Sequence, residues 1–277
     1  MSNKIIHFLF QEEITKGIIP ELEDNWKATH FGYMSGWDKL FDDIIKHKKE
    51  NEIIIPFVSI DIARQVSYKT KYLHIIRGMA FPSLYPMYDM RNPLYMHNWY
   101  SYLPKEFLVN DYVYFTTVND VLSGHRVWPN WGKVFIRPVS PWKTFTGFDC
   151  KSEEIEFELN CRIQIEKLDR SEMIAVSMAK DLDNVEWRCY YIDGQFVTGV
   201  PYSWDNIVLP THLPDSIKKL TEKAGDYLSY IGSEWVIDIA TINGEPKVIE
   251  VNAIPTSGWY KGLDTTKLLT NLTKIFI

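Results

Sequence analysis

The apolar positions of the first part of the chain, up to residue 124, fall in short runs separated by polar stretches. Continuous apolar runs predict buried strands, and a spacing of three to four residues predicts amphipathic helices. The expected elements are strands at 4–10, 53–60, 72–76 and 113–116 and helices at 37–49 and 118–122. Residues 81–105 lack a clean period and predict loop and short helix. Strands that alternate with helices predict a small α/β unit in this part.

From residue 125 onward the pattern changes to strands joined by turns, with a few helices between them. The expected strands are 133–136, 155–159, 174–177, 187–192, 195–200, 235–242 and 248–253. Two of them are joined through Asp193-Gly194, a dipeptide typical of tight hairpin turns. One helix is expected after Pro214 and another over 264–276. Hairpins beside helices predict the α+β class for the chain, with the α/β unit as its N-terminal lobe.

Length, composition and charge narrow the class of protein. With 277 residues, 45% of them hydrophobic, the chain can bury a real core, and we expect an N-terminal domain at 1–124 and a second at 125–277. A net charge of −6 without a basic tract disfavours nucleic acid as a partner. No apolar run reaches the length of about 18 residues that a membrane span needs. Three widely spaced cysteines predict a reducing, cytoplasmic setting.

Several common catalytic motifs are absent from the sequence. It contains no P-loop, no GxGxxG after a strand, no HExxH and no GxSxG. The seven histidines and three cysteines show no zinc-ligand spacing. These absences disfavour P-loop kinases, dinucleotide oxidoreductases, zinc hydrolases and α/β-hydrolases.

The stretch WVIDIATINGEPKVIEVNAIP at 235–255 indicates a metal site. Asp238 interrupts one apolar strand, and Glu250 and Asn252 interrupt the next. A carboxylate inside such a run is costly unless something neutralises it. Three oxygen donors on one side of a hairpin suit Mg²⁺, which prefers hard oxygen ligands. The alternative is an ordinary hairpin with a polar face toward solvent, which would explain Asp238 alone better than all three residues together.

The register of this hairpin decides whether the metal interpretation is geometrically sound. A two-residue turn at Asn243-Gly244 would place Asp238 opposite Ile249 and direct the carboxylate to the wrong face. A loop with an odd number of residues would instead place Asp238 opposite Glu250. We therefore predict either such a loop or a β-bulge in this hairpin.

Basic residues that could bind phosphate lie upstream of the hairpin. Arg137 ends an expected strand, and Lys143 lies in a loop rich in Ser, Thr and Gly. Amides, hydroxyls and cations in such a loop can surround a polyphosphate. Glu186 and Arg188 share one face of a later strand. Taken alone, the first pair fits an exposed loop equally well, and the second pair fits a surface ion pair.

The order and spacing of these residues resemble those of the ATP-grasp superfamily. The resemblance covers about residues 125–260 and rests on Arg137, Lys143, Glu186-x-Arg188, Asp238 and Glu250-x-Asn252. Most members carry Lys at the place of Arg137, and Arg followed by Lys resembles a divergent clade of the superfamily. Residues 253–258 resemble the turn beside the acceptor site of RimK-type ligases. The resemblance implies an ATP-grasp fold, with the nucleotide between two lobes that contain antiparallel sheets.

The resemblance also implies an activity. It is that of an ATP-dependent carboxylate–amine ligase, which forms an amide or peptide bond through an acyl phosphate and releases ADP and phosphate. The implied cofactors are ATP and Mg²⁺, with Mn²⁺ as a substitute, and the implied partners are a carboxylate and an amine, either small or macromolecular. Two alternatives stay open: an ATP-grasp kinase for a small molecule, and a module that binds nucleotide without turnover.

Each matching residue receives an expected role from the resemblance. The expected metal ligands are Asp238, Glu250 and Asn252. The expected nucleotide-binding residues are Arg137, Lys143, Ser177, Met178, Asp181, Glu186 and Arg188, with Asp183 as the alternative to Asp181 at the ribose. Of these, Arg137, Lys143 and Arg188 are expected to be catalytic, through charge on the phosphates. The expected acceptor-site residues are Ser257, Gly258 and Tyr202.

Overall fold

The N-terminal part of the chain is built on a parallel sheet. The computed structural model describes residues 4–68, 90, 92–124, 131–203 and 207–275. The first sheet contains strands β1 (Ile5–Gln11), β2 (Trp26–Phe31) and β3 (Glu52–Phe57), in the order β2-β1-β3. Helices α1 (Glu12–Thr15), α2 (Trp37–His47) and α3 (Ile60–Tyr68) connect or follow these strands. The predicted α/β character of this part is confirmed.

Two of these strands were predictable and one was not. β1 and β3 are nearly continuous apolar runs, as expected for parallel strands covered on both faces. β2, with the sequence WKATHF, is buried mainly at its two ends. Because its middle is polar, it has no continuous apolar run that would predict a strand. The strand predicted at 72–76 lies outside the described residues. Within 81–105, the described part contains helix α4 (Met96–Tyr102).

The second sheet is antiparallel and is covered by two helices. Its strands are β4 (Val113–Thr117), β5 (Lys133–Pro138), β6 (Phe148–Lys151) and β7 (Met173–Met178), in the order β4-β7-β5-β6. Helices α5 (Val118–Leu122) and α6 (Ile155–Ile165) pack on it. The strand predicted at 155–159 is therefore wrong, because these residues begin α6. A strand would place Ile155, Phe157 and Leu159 on one face, but Phe157 is 68% exposed while the other two are buried.

The third sheet is also antiparallel and contains the acidic hairpin. Its strands are β8 (Glu186–Ile192), β9 (Gln195–Tyr202), β10 (Glu234–Ile242) and β11 (Glu245–Asn252), in the order β11-β10-β8-β9. Helices α7 (Asp215–Leu228) and α8 (Thr265–Lys274) pack against it, and short 3-10 turns lie at Lys105–Phe107, Ser152–Glu154 and Ile254–Thr256. Positive φ angles at Asp193 and Gly194 confirm the predicted hairpin turn.

The two faces of the third sheet have different environments, and this positions the site. One face packs against α4 and α7 through side chains such as Trp99, Trp187 and Trp235. The opposite face packs against the N-terminal sheet and α8 at one end, where Tyr190 and Val236 are buried. Toward its other end, this second face carries the charged residues Glu186, Arg188, Asp238 and Glu250.

The architecture confirms the α+β class predicted from the sequence. The division of the chain at residue 124 stays a prediction; β4 lies before it and pairs with β7, which lies after it. Within the described ranges, none of the helices is both long and apolar enough to cross a membrane.

Candidate functional site

A β-bulge on β11 brings the two acidic side chains of the hairpin opposite each other. The turn is the tight Asn243-Gly244 turn, with φ angles of 52° and 80°. The strands pair regularly from the turn as far as Ile239 and Val248, but the next pair is Asp238 with Glu250. Ile249 is thus the extra residue of the bulge. Of the two solutions expected from the sequence, the structure contains the bulge.

Asp238 forms a buried ion pair with Arg188. Its carboxylate is 1% exposed and accepts from Arg188 Nε at 2.9 Å and from Nη2 at 2.7 Å, a two-pronged geometry suited to a guanidinium. Asn252 Nδ2 also donates to Asp238 Oδ2, at 3.1 Å. Burial disfavours the charged guanidinium, but Asp238 outweighs burial and raises the pKa of Arg188 well above its usual value. Arg188 is therefore a fixed positive charge.

Glu250 forms a second ion pair, with cations from the second sheet. Lys143 Nζ donates to Glu250 Oε2 at 3.0 Å, and Arg137 Nη2 donates to Glu250 Oε1. Arg137 Nη1 also donates to the carbonyl of the bulge residue Ile249 at 3.1 Å. Burial alone would raise the pKa of Glu250, but Arg137 and Lys143 outweigh burial and lower it. The site therefore bridges β5 of one sheet and β11 of another.

The loop that carries Lys143 returns close to β5 at Gly147. A Cβ atom at this position would lie 2.8 Å from the ring of Phe135 and 3.3 Å from Cβ of Arg137. Only a residue without a side chain allows the backbone to approach this closely without a shift of its neighbours. Gly147 therefore helps to keep the loop folded over the Arg137 strand.

Glu186 and Tyr202 lie beside the Arg188–Asp238 pair. The Tyr202 hydroxyl donates to Glu186 Oε2, and the Tyr202 ring stacks on that of Tyr260 with centroids 4.5 Å apart. Burial raises the pKa of Glu186, and the nearby carboxylates Asp238 and Glu250 raise it further. The hydrogen bond from Tyr202 lowers this pKa but does not offset the other two effects. Arg188 Cζ lies 5.2 Å and 5.3 Å from the two ring centres, so the rings form an aromatic wall beside this cation.

The expected acceptor segment after β11 is held by backbone contacts. The Gly258 carbonyl accepts from Arg188 Nη1 at 3.1 Å, so Gly258 lies beside the charged site. The Ser257 hydroxyl is buried and donates to the Ala253 carbonyl at 2.7 Å. The structure therefore brings Gly258 and Tyr202 to Arg188, while the Ser257 side chain is engaged inside its own turn.

The expected adenine and ribose residues lie at and after the end of β7. Ser177 pairs through its backbone with Val113 and Phe135, and its hydroxyl accepts from Asn110 Nδ2 at 3.2 Å. Met178 pairs on one side only and is partly exposed. Asp183 is tied to the acidic hairpin, since its amide donates to the Thr241 carbonyl at 2.8 Å and its Oδ2 accepts from the Gly244 amide at 3.2 Å. Asp181 is exposed.

The oxygen donors of the hairpin fit a magnesium ion that would take its remaining ligands from phosphate and water. Asp238 and Glu250 are directly opposite, and the Asn252 side chain lies against Asp238. No group of three or more His, Cys, Asp or Glu side chains suited to a metal occurs among the described residues. Two carboxylates and one amide oxygen would leave further positions to water and phosphate oxygens, as Mg²⁺ usually requires.

Two residues at the site were missed from the sequence. Lys16 Nζ lies 3.7 Å from the centre of the Tyr260 ring, and the Trp259 amide beside it donates to the Ile14 carbonyl at 2.8 Å. Lys16 is the exposed residue that ends α1, and no local signal links it to a tyrosine near the other end of the chain. Tyr260 follows the predicted acceptor turn, and its position there was the one available clue.

Comparison with known families identifies the chain. The sequence model that describes the second family of the R-2-K clade of ATP-grasp domains matches residues 112–270. The chain belongs to this family. The family match confirms the resemblance drawn from the Arg137, Lys143, Asp238, Glu250 and Asn252 pattern and places β4 to β11 inside the family domain.

Solved structures with the same fold cover at least 95% of this chain. The D-alanine–D-alanine ligase from Coxiella burnetii superposes with a TM-score of 0.60 at 13% identity, over 98% of this chain and 94% of that one. The D-alanine–D-alanine ligase from Bacillus anthracis, complexed with ATP, gives a TM-score of 0.58 at 10% identity, over 98% of each chain. The ATP-grasp ligase PsnB, complexed with a phosphomimetic variant of a minimal precursor, Mg and ADP, gives 0.50 at 13% identity, over 95% and 93%. At these identities the likeness establishes the ATP-grasp fold. No curated protein sequence matches the chain.

Proposed function

We propose that this protein is an ATP-dependent carboxylate–amine ligase. It would phosphorylate a carboxylate to an acyl phosphate, which an amine then attacks to form an amide or peptide bond, with release of ADP and phosphate. Family membership supports a nucleotide site, and the ligases that share the fold support this class of reaction. The observation that carries the proposal is the bulged pairing of Asp238 with Glu250, with cations on both sides.

We propose Mg²⁺ as the metal of this site, with Asp238, Glu250 and Asn252 as its protein ligands. Bound there, it would supply a Lewis acid next to the phosphate oxygens. The proposal is supported by the donor set of the hairpin. It is also supported by the PsnB complex, which contains Mg and ADP.

The cations of the site would place the triphosphate. Arg137 and Lys143 converge on Glu250 from the second sheet, at the side where the hairpin carries its acidic donors. An anionic triphosphate next to these side chains would gain two charge-assisted contacts. The exposed end of β7 at Met178, with Ser177 and Asp181 nearby, is our proposed adenine and ribose side of the cleft.

Arg188 would stabilise the phosphoryl group during transfer. Its guanidinium is fixed by Asp238 and by the Gly258 carbonyl, so it does not need to reorganise when negative charge develops nearby. Gly258 and Tyr202 lie next to it and are the proposed acceptor-side contacts, with Ser257 shaping the turn from inside. No side chain is needed as a nucleophile, because positioning and charge carry most of the catalysis of phosphoryl transfer.

The first experiment is an ADP-release assay with Mg-ATP and pooled amino acids and small carboxylates, with and without hydroxylamine. Hydroxylamine intercepts an acyl phosphate as a hydroxamate, so we expect hydroxamate to form together with ADP. ADP release into a stable phosphoester, without hydroxamate, would identify a kinase instead. Strong ATP binding without ADP from any pool would contradict ligation of small molecules.

Glu250→Gln tests the site directly. Removing this carboxylate removes a proposed metal ligand and leaves Arg137 and Lys143 without their anionic partner, so ADP release should fall by about 10- to 100-fold. Glu245→Gln is the matched control, because Glu245 lies on the same hairpin with its side chain 78% exposed. Equal losses in both variants, or no loss in Glu250→Gln, would contradict the proposed site.

A further inference from the structure

The loop between β5 and β6, residues 139–147, carries Lys143 between two buried aromatic side chains. On one side, Phe145 is 4% exposed and packs in the core of the second sheet, to which the loop belongs. On the other side, Trp142 is 8% exposed and packs in a different core, between the N-terminal sheet and helices α2 and α3. Lys143 therefore lies between anchors in two separate hydrophobic cores.

Trp142 is distant in sequence from the rest of the core in which it packs. In the described part of the chain, the other buried residues of this cluster all lie between Leu9 and Ala63, on or next to the N-terminal strands, α2 and α3. A buried tryptophan removes a large apolar area from water, so its burial strongly favours one position of the backbone that carries it. The Trp142 ring thus fixes the β5–β6 loop against the N-terminal unit.

Hydrogen bonds also hold the backbone around the Trp142 ring. Arg64 Nη2, from α3, donates to the Trp142 carbonyl at 2.7 Å. The Trp142 amide donates to Ser140 Oγ at 3.3 Å. The Lys143 amide donates to the Ser140 carbonyl, also at 3.3 Å, and closes a tight turn. Trp142 and Lys143 are neighbours in this turn, so a shift of the anchored ring would move the start of the lysine side chain.

Lys143 itself has a backbone conformation that needs support. Its φ is 44°, in the left-handed region that residues other than glycine rarely adopt. Such conformations persist where the surrounding structure holds them. Here the two aromatic anchors hold the loop, and the Lys143 ammonium donates to Glu250 Oε2 at 3.0 Å. A flexible lysine that starts from a fixed backbone loses less entropy when it contacts a ligand.

We propose that Trp142 is a positioning residue for the nucleotide. Its ring anchors the β5–β6 loop in the N-terminal core, and this anchor holds the Lys143 ammonium where the triphosphate binds. Arg64 supports the same anchor through the Trp142 carbonyl. The N-terminal unit would thereby contribute to nucleotide binding through a residue that needs no contact with the nucleotide. This inference rests on the proposed function only for the contact between Lys143 and phosphate, and it does not depend on the reaction that follows.

Calorimetric titration of the full chain with Mg²⁺ and either AMPPNP or AMP tests the inference without turnover. The ratio of the two dissociation constants measures how much the β- and γ-phosphates contribute to binding. Trp142→Ala should reduce this ratio about tenfold, the size expected for one charge-assisted contact that is no longer held in place. An unchanged ratio in this variant would overturn the inference. A native protein that binds AMPPNP no more tightly than AMP would overturn it as well.

Two further variants separate positioning from a general loss of core packing. Phe41→Ala is the matched control, because Phe41 is 4% exposed in the same core, where its ring packs edge to face with those of Phe31 and Trp37. It should lower stability in urea unfolding but keep the native ratio. Trp142→Phe keeps an aromatic ring in the core and should restore most of the ratio. Equal losses of the ratio in Phe41→Ala and Trp142→Ala would contradict the inference, as would a Trp142→Phe ratio as low as that of Trp142→Ala.

Lys143→Met links the effect to the lysine. This variant should lower the ratio as much as Trp142→Ala does. The combination of the two should cause no further loss, because both act through one ammonium. Losses that add up in the double variant would show that Trp142 acts by another route and would overturn the inference.

Arg64→Met covers the case in which Trp142→Ala fails to fold. It leaves the Trp142 ring in place and removes the donor to the Trp142 carbonyl, so the ratio should fall about threefold. In that case, an unchanged ratio in Arg64→Met would count against the anchor and overturn the inference.

The two proposals fail in different ways. A triphosphate preference that depends on Trp142, without hydroxamate from any carboxylate, would support the positioning role and remove the ligase function. Hydroxamate formation in the native protein, together with an unchanged ratio in Trp142→Ala, would support the ligase and remove the positioning role.

Discussion

Arg188 and Asp238 show how a buried charge is sustained mainly by a partner of opposite charge. Both side chains are almost completely buried, and each satisfies the other through two hydrogen bonds. A buried ion pair often contributes little net stability, because desolvation offsets the attraction. Removing one partner is a different matter, since it leaves an uncompensated charge in the interior. The pair is therefore best explained by a site that needs a fixed cation.

Arg188→Met should destabilise the protein by about 3–5 kcal/mol, because Asp238 would be left buried without its partner. Urea unfolding monitored by tryptophan fluorescence measures this loss. The double variant Arg188→Met with Asp238→Leu should regain most of the stability, because both charges are gone, but no ADP release. Recovery of turnover in the double variant would contradict the role of Arg188 in phosphoryl transfer.

Glu250 makes stability depend on pH at the acidic end. Arg137 and Lys143 overcome the effect of burial and lower the folded-state pKa of Glu250 below its ordinary value of 4.5. As pH falls through the ordinary value, the unfolded chain takes up the proton first. The stability that Glu250 contributes is thus present above pH 4.5 and is lost as pH falls toward the folded-state pKa.

We therefore expect the native protein to lose more stability than Glu250→Gln between about pH 5 and pH 3. Urea unfolding at a series of pH values gives the difference in free energy of unfolding between the two proteins. That difference should shrink steadily as the pH falls. A difference that is constant over this range would show that Glu250 is not held ionised by its two cations.

At the scale of single elements, the acidic hairpin shows how a turn and a bulge act together. The tight turn at Asn243-Gly244 starts one register, and the extra residue Ile249 changes it before Asp238 is reached. The sequence alone shows that some irregularity is needed, because a regular two-residue hairpin would place the two acids on opposite faces. The sequence does not show where the irregularity lies. The bulge residue Ile249 is bound through its carbonyl by Arg137, which comes from another sheet, and such a distant contact is not visible in the local pattern.

Gly244→Ala tests the turn. Gly244 has a φ of 80°, and no atom lies within 4 Å of the position a methyl group would take, so the cost comes from the backbone alone. We expect a loss of about 1–2 kcal/mol in urea unfolding. Asn243→Gly is the control, because glycine accepts the φ of 52° at that position and should change stability by less than about 0.5 kcal/mol. Equal stabilities for both variants would argue against this turn type.

Helix α6 shows where a local pattern is ambiguous. Ile155, Phe157 and Leu159 alternate with acidic residues as in a half-buried strand, but Ile155 and Leu159 are also four residues apart, as on a helix face. Five residues are too few to separate the two periods. Packing on the second sheet decides the outcome, since it buries Ile155 and Leu159 and leaves Phe157 exposed.

At the scale of the whole molecule, the N-terminal sheet supports the proposed acceptor side of the site. Trp259 is fully buried, with its ring 5.4 Å from that of Phe10 and 5.2 Å from that of Phe57. It directly follows Gly258, whose carbonyl holds Arg188. The first sheet therefore contacts the segment beside the proposed reaction site through the Trp259 ring, and stability and activity should be linked there.

Trp259→Ala should cost about 3–5 kcal/mol, because it removes a large side chain from the centre of the core. The fall in the urea midpoint should be accompanied by weaker ADP release under conditions where the variant is still folded. Tyr230→Ala is the matched control, since Tyr230 is 82% exposed and should change stability by less than about 0.5 kcal/mol. A variant with native stability would contradict the link between the N-terminal sheet and the site.

The sequence by itself determined most of the strands, the α+β class and most of the charged residues that meet at the acidic hairpin. These features are local: apolar periods indicate β8 to β11, and a carboxylate inside an apolar run, as at Asp238, is visible without a structure. Only the tertiary structure decided which charges meet. Arg188 and Asp238 are 50 residues apart, and Arg137 and Glu250 are 113 apart. Such pairs depend on how the sheets pack and on where a bulge shifts the register, and local sequence patterns do not encode either.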